Sequence, residues 1–352
     1  MADSLDVKKP SFFRRVCEVV REFSQVDTNY IEPQRFNYMV MLQSTISYES
    51  YTMGNGDGQE LTLSPEGKLR IGPYVGWRWL VLGYTIDIFH PFDKNLKQDF
   101  DISLYSNQIG IDIFYRNTGD NYKIRLAKLG NEVENKLLKG VSFTGFESSI
   151  KGFNIYYIMN HKKFSYPAAF SQSTCQRISC GSPLVGIGYT RHTLDLDVKK
   201  LNKTIIEHMG DETDVSLVHE SMVGAKVYYT DISLYGGYAY NWVFARNCLA
   251  AASLSLGLGY KQSIGEVERD DSKFRDFSFR NFNIDGVGRF GLVWNNTRWF
   301  VSSSIILHAY TYSRSQFSVR NFFGNININF GYNFGRIHPS PKKKKSVVSA
   351  RE

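Results

Sequence analysis

The run NFFGNININFGYNF, residues 321–334, alternates with period two. Phe322, Gly324, Ile326, Ile328, Phe330, Tyr332 and Phe334 fall on one face. Asn321, Asn325, Asn327, Asn329 and Asn333 fall on the other. Successive side chains of a strand point to opposite sides, so the run reads as a β-strand with one apolar and one amide face.

The same pattern recurs upstream. Trp299, Val301, Ile305, Leu307 and Ala309 oppose Ser302, Ser304, His308, Tyr310 and Tyr312. Ala250, Ala252, Leu254, Leu256 and Leu258 oppose Ser253, Ser255, Gly257, Gly259 and Lys261. Ile109, Ile111, Ile113 and Tyr115 oppose Gly110, Asp112 and Arg116, and Leu82, Tyr84, Ile86 and Ile88 oppose Gly83, Thr85 and Asp87. These segments exceed the ~5–6 residues typical of soluble strands. Their polar faces carry Asp, Arg, Lys, Gly and Asn, which suit a wet or salt-bridged lumen behind a lipid-facing apolar side. Closure into a barrel also removes the edges that long strands would expose.

Composition agrees. Aromatic residues make up 15% of the chain, with 25 Phe and 22 Tyr, and girdles of such amphipathic rings mark membrane barrels. No apolar run approaches the ~20 residues that a spanning helix needs, and the mean hydropathy of −0.30 excludes a helical membrane protein. The expected fold is all-β: a transmembrane antiparallel β-barrel. A soluble β-sandwich or barrel stays open as the alternative.

Thirteen strand candidates follow from the alternation: 35–52, 67–77, 79–89, 99–106, 108–117, 151–160, 165–174, 183–196, 224–243, 248–263, 281–294, 298–313 and 319–334. Single-chain bacterial barrels normally have an even number, with short turns inside and long loops outside. The short turns lie near 76–78, 106–107, 160–163, 245–247 and 295–297, and their parity breaks between 165 and 223. Merging 165–174 with 183–196 into one bulged strand gives twelve; an extra hairpin in 197–223 gives fourteen. Twelve is preferred. Residues 1–24 read as a tail and a short amphipathic helix from Pro10 to Ser24, residues 25–336 as the barrel, and residues 337–352 as a basic disordered tail. Met1–Lys9 is polar and no apolar stretch with a cleavage site follows it, so no secretory signal is read, although an outer-membrane protein must be exported.

Four segments carry a resemblance. Asp27-Thr-Asn-Tyr-Ile-Glu-Pro33, Lys163-Phe-Ser-Tyr-Pro-Ala-Ala-Phe-Ser-Gln172, Gln176-Arg-Ile-Ser-Cys-Gly-Ser182 and Gly237-Tyr-Ala-Tyr-Asn241 resemble an uncharacterised Bacteroidota family catalogued as a domain of unknown function, DUF4421. The resemblance covers about residues 25–335. It implies an exported, outer-membrane β-barrel and supplies no catalytic residues.

Signals for chemistry are sparse. There is no phosphate-binding glycine loop and no HExxH or other paired ligand spacing among the seven histidines, so neither a cofactor nor a metal is expected. The Lys342–Lys345 run follows Pro339 and Pro341 and reads as a solvated terminus, with no nucleic-acid partner implied. Cys175 and Cys180 are close enough in sequence to close a small loop, but spacing does not decide it. A lipid hydrolase would need a Ser hydroxyl against an imidazole, and His308 shares its face with Ser302 and Ser304. No third member is visible there, nor beside His161 or His192.

The lumen-facing candidates are Asp87, Asp112, Arg116, Asp231, Lys261, Asp285, Arg289 and His308. They either line a pore for a small polar solute or pair across a narrow lumen and plug it. A twelve-stranded barrel is narrower than the 16–18-stranded porins that leave a clear channel, which favours the plug. Three functions remain in play: an outer-membrane barrel with a structural, channel or binding role and lipid as its surroundings, an outer-membrane lipid hydrolase, and a soluble barrel around an apolar ligand. The last requires Ile326, Ile328 and Leu254 to point inward.

Overall fold

The computed structural model describes residues 26–55, 58–77, 80–88, 98–119, 121–129, 136–209, 227–265, 282–314 and 317–337. The helix expected over 10–24 and the tail after 337 lie outside the described residues. In chain order the strands are β1 Ile31–Pro33, β2 Phe36–Asn55, β3 Glu60–Pro65, β4 Lys68–Trp77, β5 Leu80–Gly83 and β6 Ile86–Asp87. Then come β7 Gln98–Tyr105, β8 Ile109–Gly119, β9 Tyr122–Lys128, β10 Ser142–Phe143, β11 Phe146–Ile158 and β12 Thr174–Gln176. The series ends with β13 Cys180–Leu196, β14 Val227–Ala245, β15 Cys248–Gly265, β16 Phe282–Asn295, β17 Trp299–Arg314 and β18 Phe317–Arg336. Two α-helices are described, α1 Tyr166–Phe170 and α2 Val198–Met209.

The wall is one antiparallel sheet. Its order runs β7-β8-β11-β13-β14-β15-β16-β17-β18-β2-β4, and β4 pairs in turn with β5 and β6. β5 and β6 lie along one line on β4, interrupted at Tyr84 and Thr85, so among the described residues the wall counts twelve strands. Among the described residues the β5–β6 edge and the β7 edge are not paired to each other. The first and last long strands pair along their full length, from Phe36 against Arg336 to Asn55 against Phe317.

Twelve strands agree with the preferred count, but residues 165–174 are not part of one. They hold α1, not a bulged extension of β13. Ser165 caps the helix by accepting from the Ala168 amide, and Pro167 sits in its first turn. Proline lacks the N–H that a ladder needs but suits a helix start, and a serine cap satisfies an orphan amide there. The alternating Phe164, Tyr166, Ala168 and Phe170 therefore imitate a strand without forming one.

The polarity of the wall is unambiguous. Leu254 is 59% exposed and Ile328 52%, and both point outward, as does Ile326. Asn321, Asn329 and Asn333 on the alternate positions are buried. The soluble-barrel reading, which needs the reverse, is overturned. Leu82, Val185, Ile187, Leu234, Leu256 and Leu292 continue the outer belt around the sheet. At about 25 cal/mol per Å² of apolar surface, a continuous belt of this kind is costly in water and is stable against lipid tails.

The long-loop end carries elements that the alternation missed. The upper half of β2 leaves β4 and pairs with β3, β3 pairs with β9, and β9 with β10. These lie within 54–66 and 119–150, read from sequence as loops, and α2 lies within 197–223. Tyr51, Leu63, Ile124, Phe143, Leu201 and Tyr312 pack into one buried apolar cluster that joins this side sheet, α2 and the opposite wall. The cluster lies at the long-loop end of the wall.

Candidate functional site: the barrel interior and its plug

Seven of the eight lumen candidates are buried inside the barrel. Arg289 pairs with Asp112, which also accepts a hydrogen bond from Ser103 (2.6 Å). The Arg289 guanidinium lies 4.8 Å over the Tyr156 ring and 6.0 Å from that of Tyr166. Higher up, Lys261 pairs with Asp285 at 2.8 Å and donates to the Thr311 carbonyl. Ser233 donates to Asp231 and lies 3.2 Å from Asp285. Arg116 donates to Asn325 (2.9 Å) and stacks over Phe323, which also stacks on His308 at 4.9 Å and 12° and contacts Phe114 and Tyr310. The eighth candidate, Asp87, is half-buried on β6 opposite Arg70.

The backbone makes room for these groups with inward glycines. A Cβ on Gly110 would lie 2.2 Å from the Tyr156 ring, so glycine there lets Tyr156 lie flat under Arg289. A Cβ on Gly259 would lie 2.4 Å from Asp231 and 2.8 Å from Asp285. Glycine inside a strand commonly marks such a close approach.

The short-turn end is filled by a plug. β1 and β12 form a separate two-stranded ladder, Ile31 against Gln176 to Pro33 against Thr174. The Gln176 side chain is its hub. Its amide donates to the carbonyls of Lys163 (2.6 Å), Ile178 (2.9 Å) and Tyr30 (3.3 Å), and its carbonyl accepts from the Ser165 amide (3.0 Å) and Asn241 (3.2 Å). Asn241, on the wall, also donates to the Ser165 carbonyl at 2.8 Å. α1 reaches into the lumen, where the Tyr166 hydroxyl meets Ser253 at 2.5 Å and the Tyr166 ring stacks on Tyr105.

All four segments that carried the family resemblance converge here. Sequence reasoning did not single out Gln176, Asn241, Ser165 or Tyr166 as site residues, although every one of them lies in those quoted motifs. Cys175 and Cys180 are both free thiols. Cys180 accepts from Asn160 at 3.2 Å, while Cys175 is buried toward the Asn295 carbonyl, and that burial pushes its thiol up to about 11.

The histidines sit among rings and amides. His192 stacks on Tyr229 at 4.4 Å, His161 contacts the Gln108 amide at 2.8 Å, and Ser302, on the face of His308, accepts from Asn329. Among the described residues no three His, Cys, Asp or Glu side chains converge as metal ligands. Between the apolar cluster above and the plug below, Arg116 is 1% exposed, Lys261 2% and Arg289 2%.

A family model described as a domain of unknown function (DUF4421) matches residues 25–334. No curated protein matches the chain. Similar solved structures include the outer membrane protease OmpT from Escherichia coli, at 8% identity and TM-score 0.33, covering 86% of this chain and 98% of that one. The translocator domain of the autotransporter NalP from Neisseria meningitidis is similar at 11% identity and TM-score 0.31, covering 92% and 94%. The outer membrane protein OprG from Pseudomonas aeruginosa follows at 9% identity and TM-score 0.25, covering 86% and 98%. At these scores no residue role is carried across.

Proposed function

The chain belongs to the DUF4421 family, and from that premise we propose that it is an integral outer-membrane protein of a Bacteroidota cell whose barrel is closed and non-conducting. The barrel then serves as a scaffold that holds its plug on the periplasmic side and its side sheet outside the cell. The apolar belt supports membrane insertion, and short turns belong on the periplasmic side of such barrels. The single observation behind the closed state is the burial and pairing of the lumen charges, above all Arg289 with Asp112 and Lys261 with Asp285. A passage that conducted ions would keep those groups solvated.

The test combines two measurements on the refolded chain. Heat-modifiable migration after detergent extraction reports the barrel. Planar-bilayer recording then reports conductance, and a steady single-protein conductance at neutral pH would refute the closed reading.

A second reading, binding of a small polar solute inside the barrel, is favoured by one observation. Thr190 Oγ1, both Asn154 side-chain atoms and Asp231 Oδ1 are buried without protein partners, and Thr190 stands directly across from Asp231. Buried polar atoms of this kind are costly unless something meets them. The lipid-hydrolase alternative has less support, because His308 faces the lumen within an aromatic stack.

A further inference from the structure

All four tryptophans among the described residues lie at one end of the barrel. Trp77 closes β4, Trp242 is near the end of β14, and Trp294 and Trp299 flank the β16–β17 turn. All four are outward-facing and 40–57% exposed. Tryptophan is favoured where an apolar ring meets a headgroup layer, so these residues fix the height of one membrane interface.

Immediately beyond that height, turn after turn carries a cation. Arg35 and Arg336 lie at the paired ends of β2 and β18. Arg298 occupies the β16–β17 turn and Arg246 the β14–β15 turn. Lys162, Lys163 and Arg177 follow in the plug connection between β11 and β13. All seven are exposed, and among the described residues of this end only Asp27 and Glu32 oppose them. Glu32 is taken up by Arg35 and Arg177. The opposite end is mixed, with Glu60, Glu66, Asp195, Asp197 and Glu207 among its lysines and arginines.

We infer that the short-turn rim is a binding collar for anionic phospholipid headgroups, a ring of Trp and Arg side chains that prefers phosphatidylglycerol-type lipids in the periplasmic leaflet. The tryptophans favour lipid over a soluble polyanion as the source of phosphate. They hold the cations level with the headgroups, and Arg298 illustrates the arrangement: its guanidinium lies 5.3 Å over the Tyr332 ring and donates to that hydroxyl, one residue from Trp299. Cations near an anionic leaflet attract it strongly at short range and lose that attraction within a Debye length. This inference rests on the proposed membrane insertion.

The experiment uses the full chain in phosphatidylcholine vesicles, with tryptophan fluorescence quenched by brominated phosphatidylglycerol or brominated phosphatidylcholine. At low salt the apparent binding constant is expected to be about fivefold higher for phosphatidylglycerol, near the effect of one well-placed rim cation. The ratio should fall toward one in R246Q/R298Q/R336Q and in wild type at high salt. Because Arg298 also contacts Tyr332, K162Q/R246Q/R336Q serves as a second variant that spares it, and a folded second variant with an undiminished ratio overturns the inference. Equal quenching by both lipids in wild type overturns it too, as does inorganic polyphosphate binding the rim of vesicles that show no lipid preference. Absence of quenching by either lipid defeats membrane insertion itself, a separable result.

Discussion

Replacing Asp112 by Asn keeps the shape of the side chain and its contact with Ser103 but removes the charge that faces Arg289. Two unit charges about 4 Å apart attract by about 1 kcal/mol in bulk water and by about 4 kcal/mol at an effective dielectric of about 20. Both partners here are 5% exposed or less. Stranding one member of a buried pair costs about 3–5 kcal/mol. The guanidinium retains the Tyr156 ring beneath it, which offsets part of that loss. Asp112→Asn is therefore expected to destabilise by about 3 kcal/mol. The double variant Asp112→Asn with Arg289→Met removes both charges and should recover most of it. Urea unfolding in phospholipid vesicles, followed by tryptophan fluorescence, gives the four stabilities of the cycle. A coupling energy under about 1 kcal/mol is what an exposed pair shows. That result would mean the lumen is wet, and would sink both the energetic argument and the closed barrel.

Other expectations follow from the same interior. Gly110→Ala drives a methyl into the Tyr156 ring and should cost about 1–3 kcal/mol by overpacking, read by the same unfolding assay. Gln176→Ala strips the plug of its hub; limited proteolysis should then cut within 163–180 while the wall stays heat-modifiable, and an unchanged digestion pattern would count against the hub role. For Cys175, a thiol with its folded pKa raised to about 11 from 9.0 keeps its proton in the folded state. Its contribution is complete below about pH 9 and is lost as pH rises toward about 11. Iodoacetamide at pH 8 should accordingly modify the half-exposed Cys180 and leave Cys175 intact, by peptide mass mapping, with Cys175 becoming reactive as pH rises through that window.

The wall was readable from sequence because lipid and lumen impose opposite polarities on adjacent residues. Asn329 and Ile328 are neighbours that end up on opposite sides of the sheet, and that contrast is visible in one dimension. The lumen charges were readable for the same reason, since Asp112, Asp285 and Arg289 interrupt otherwise apolar or small-residue strands. Which of them pair was not readable, because Arg289 and Asp112 meet across the barrel from strands far apart in sequence. α1 was misread since Phe164, Tyr166, Ala168 and Phe170 alternate by accident, while Ser165 and Pro167 held the true signal. β3, β9 and β10 were missed because they bury one side against the apolar cluster, away from lipid, and are too short to show a pattern. The plug was visible only as unexplained motif segments; its chemistry lies in side-chain amides binding backbone, which leaves no periodic trace.

The pairing of β2 with β18 has a consequence for how the wall is made. The two are the first and last long strands in the chain, each 20 residues, and they match over their full length. β2 thus has no partner on that side until β18 docks against it. The entropy of bringing such distant segments together grows only logarithmically with the chain between them, so the finished wall loses little stability by it. The rate suffers more, since contacts between remote segments form late. During that interval β2 is a long unpaired edge, open to whatever other strand it meets. Safe assembly therefore calls for a helper that shields this edge, or for insertion fast enough that β18 arrives first.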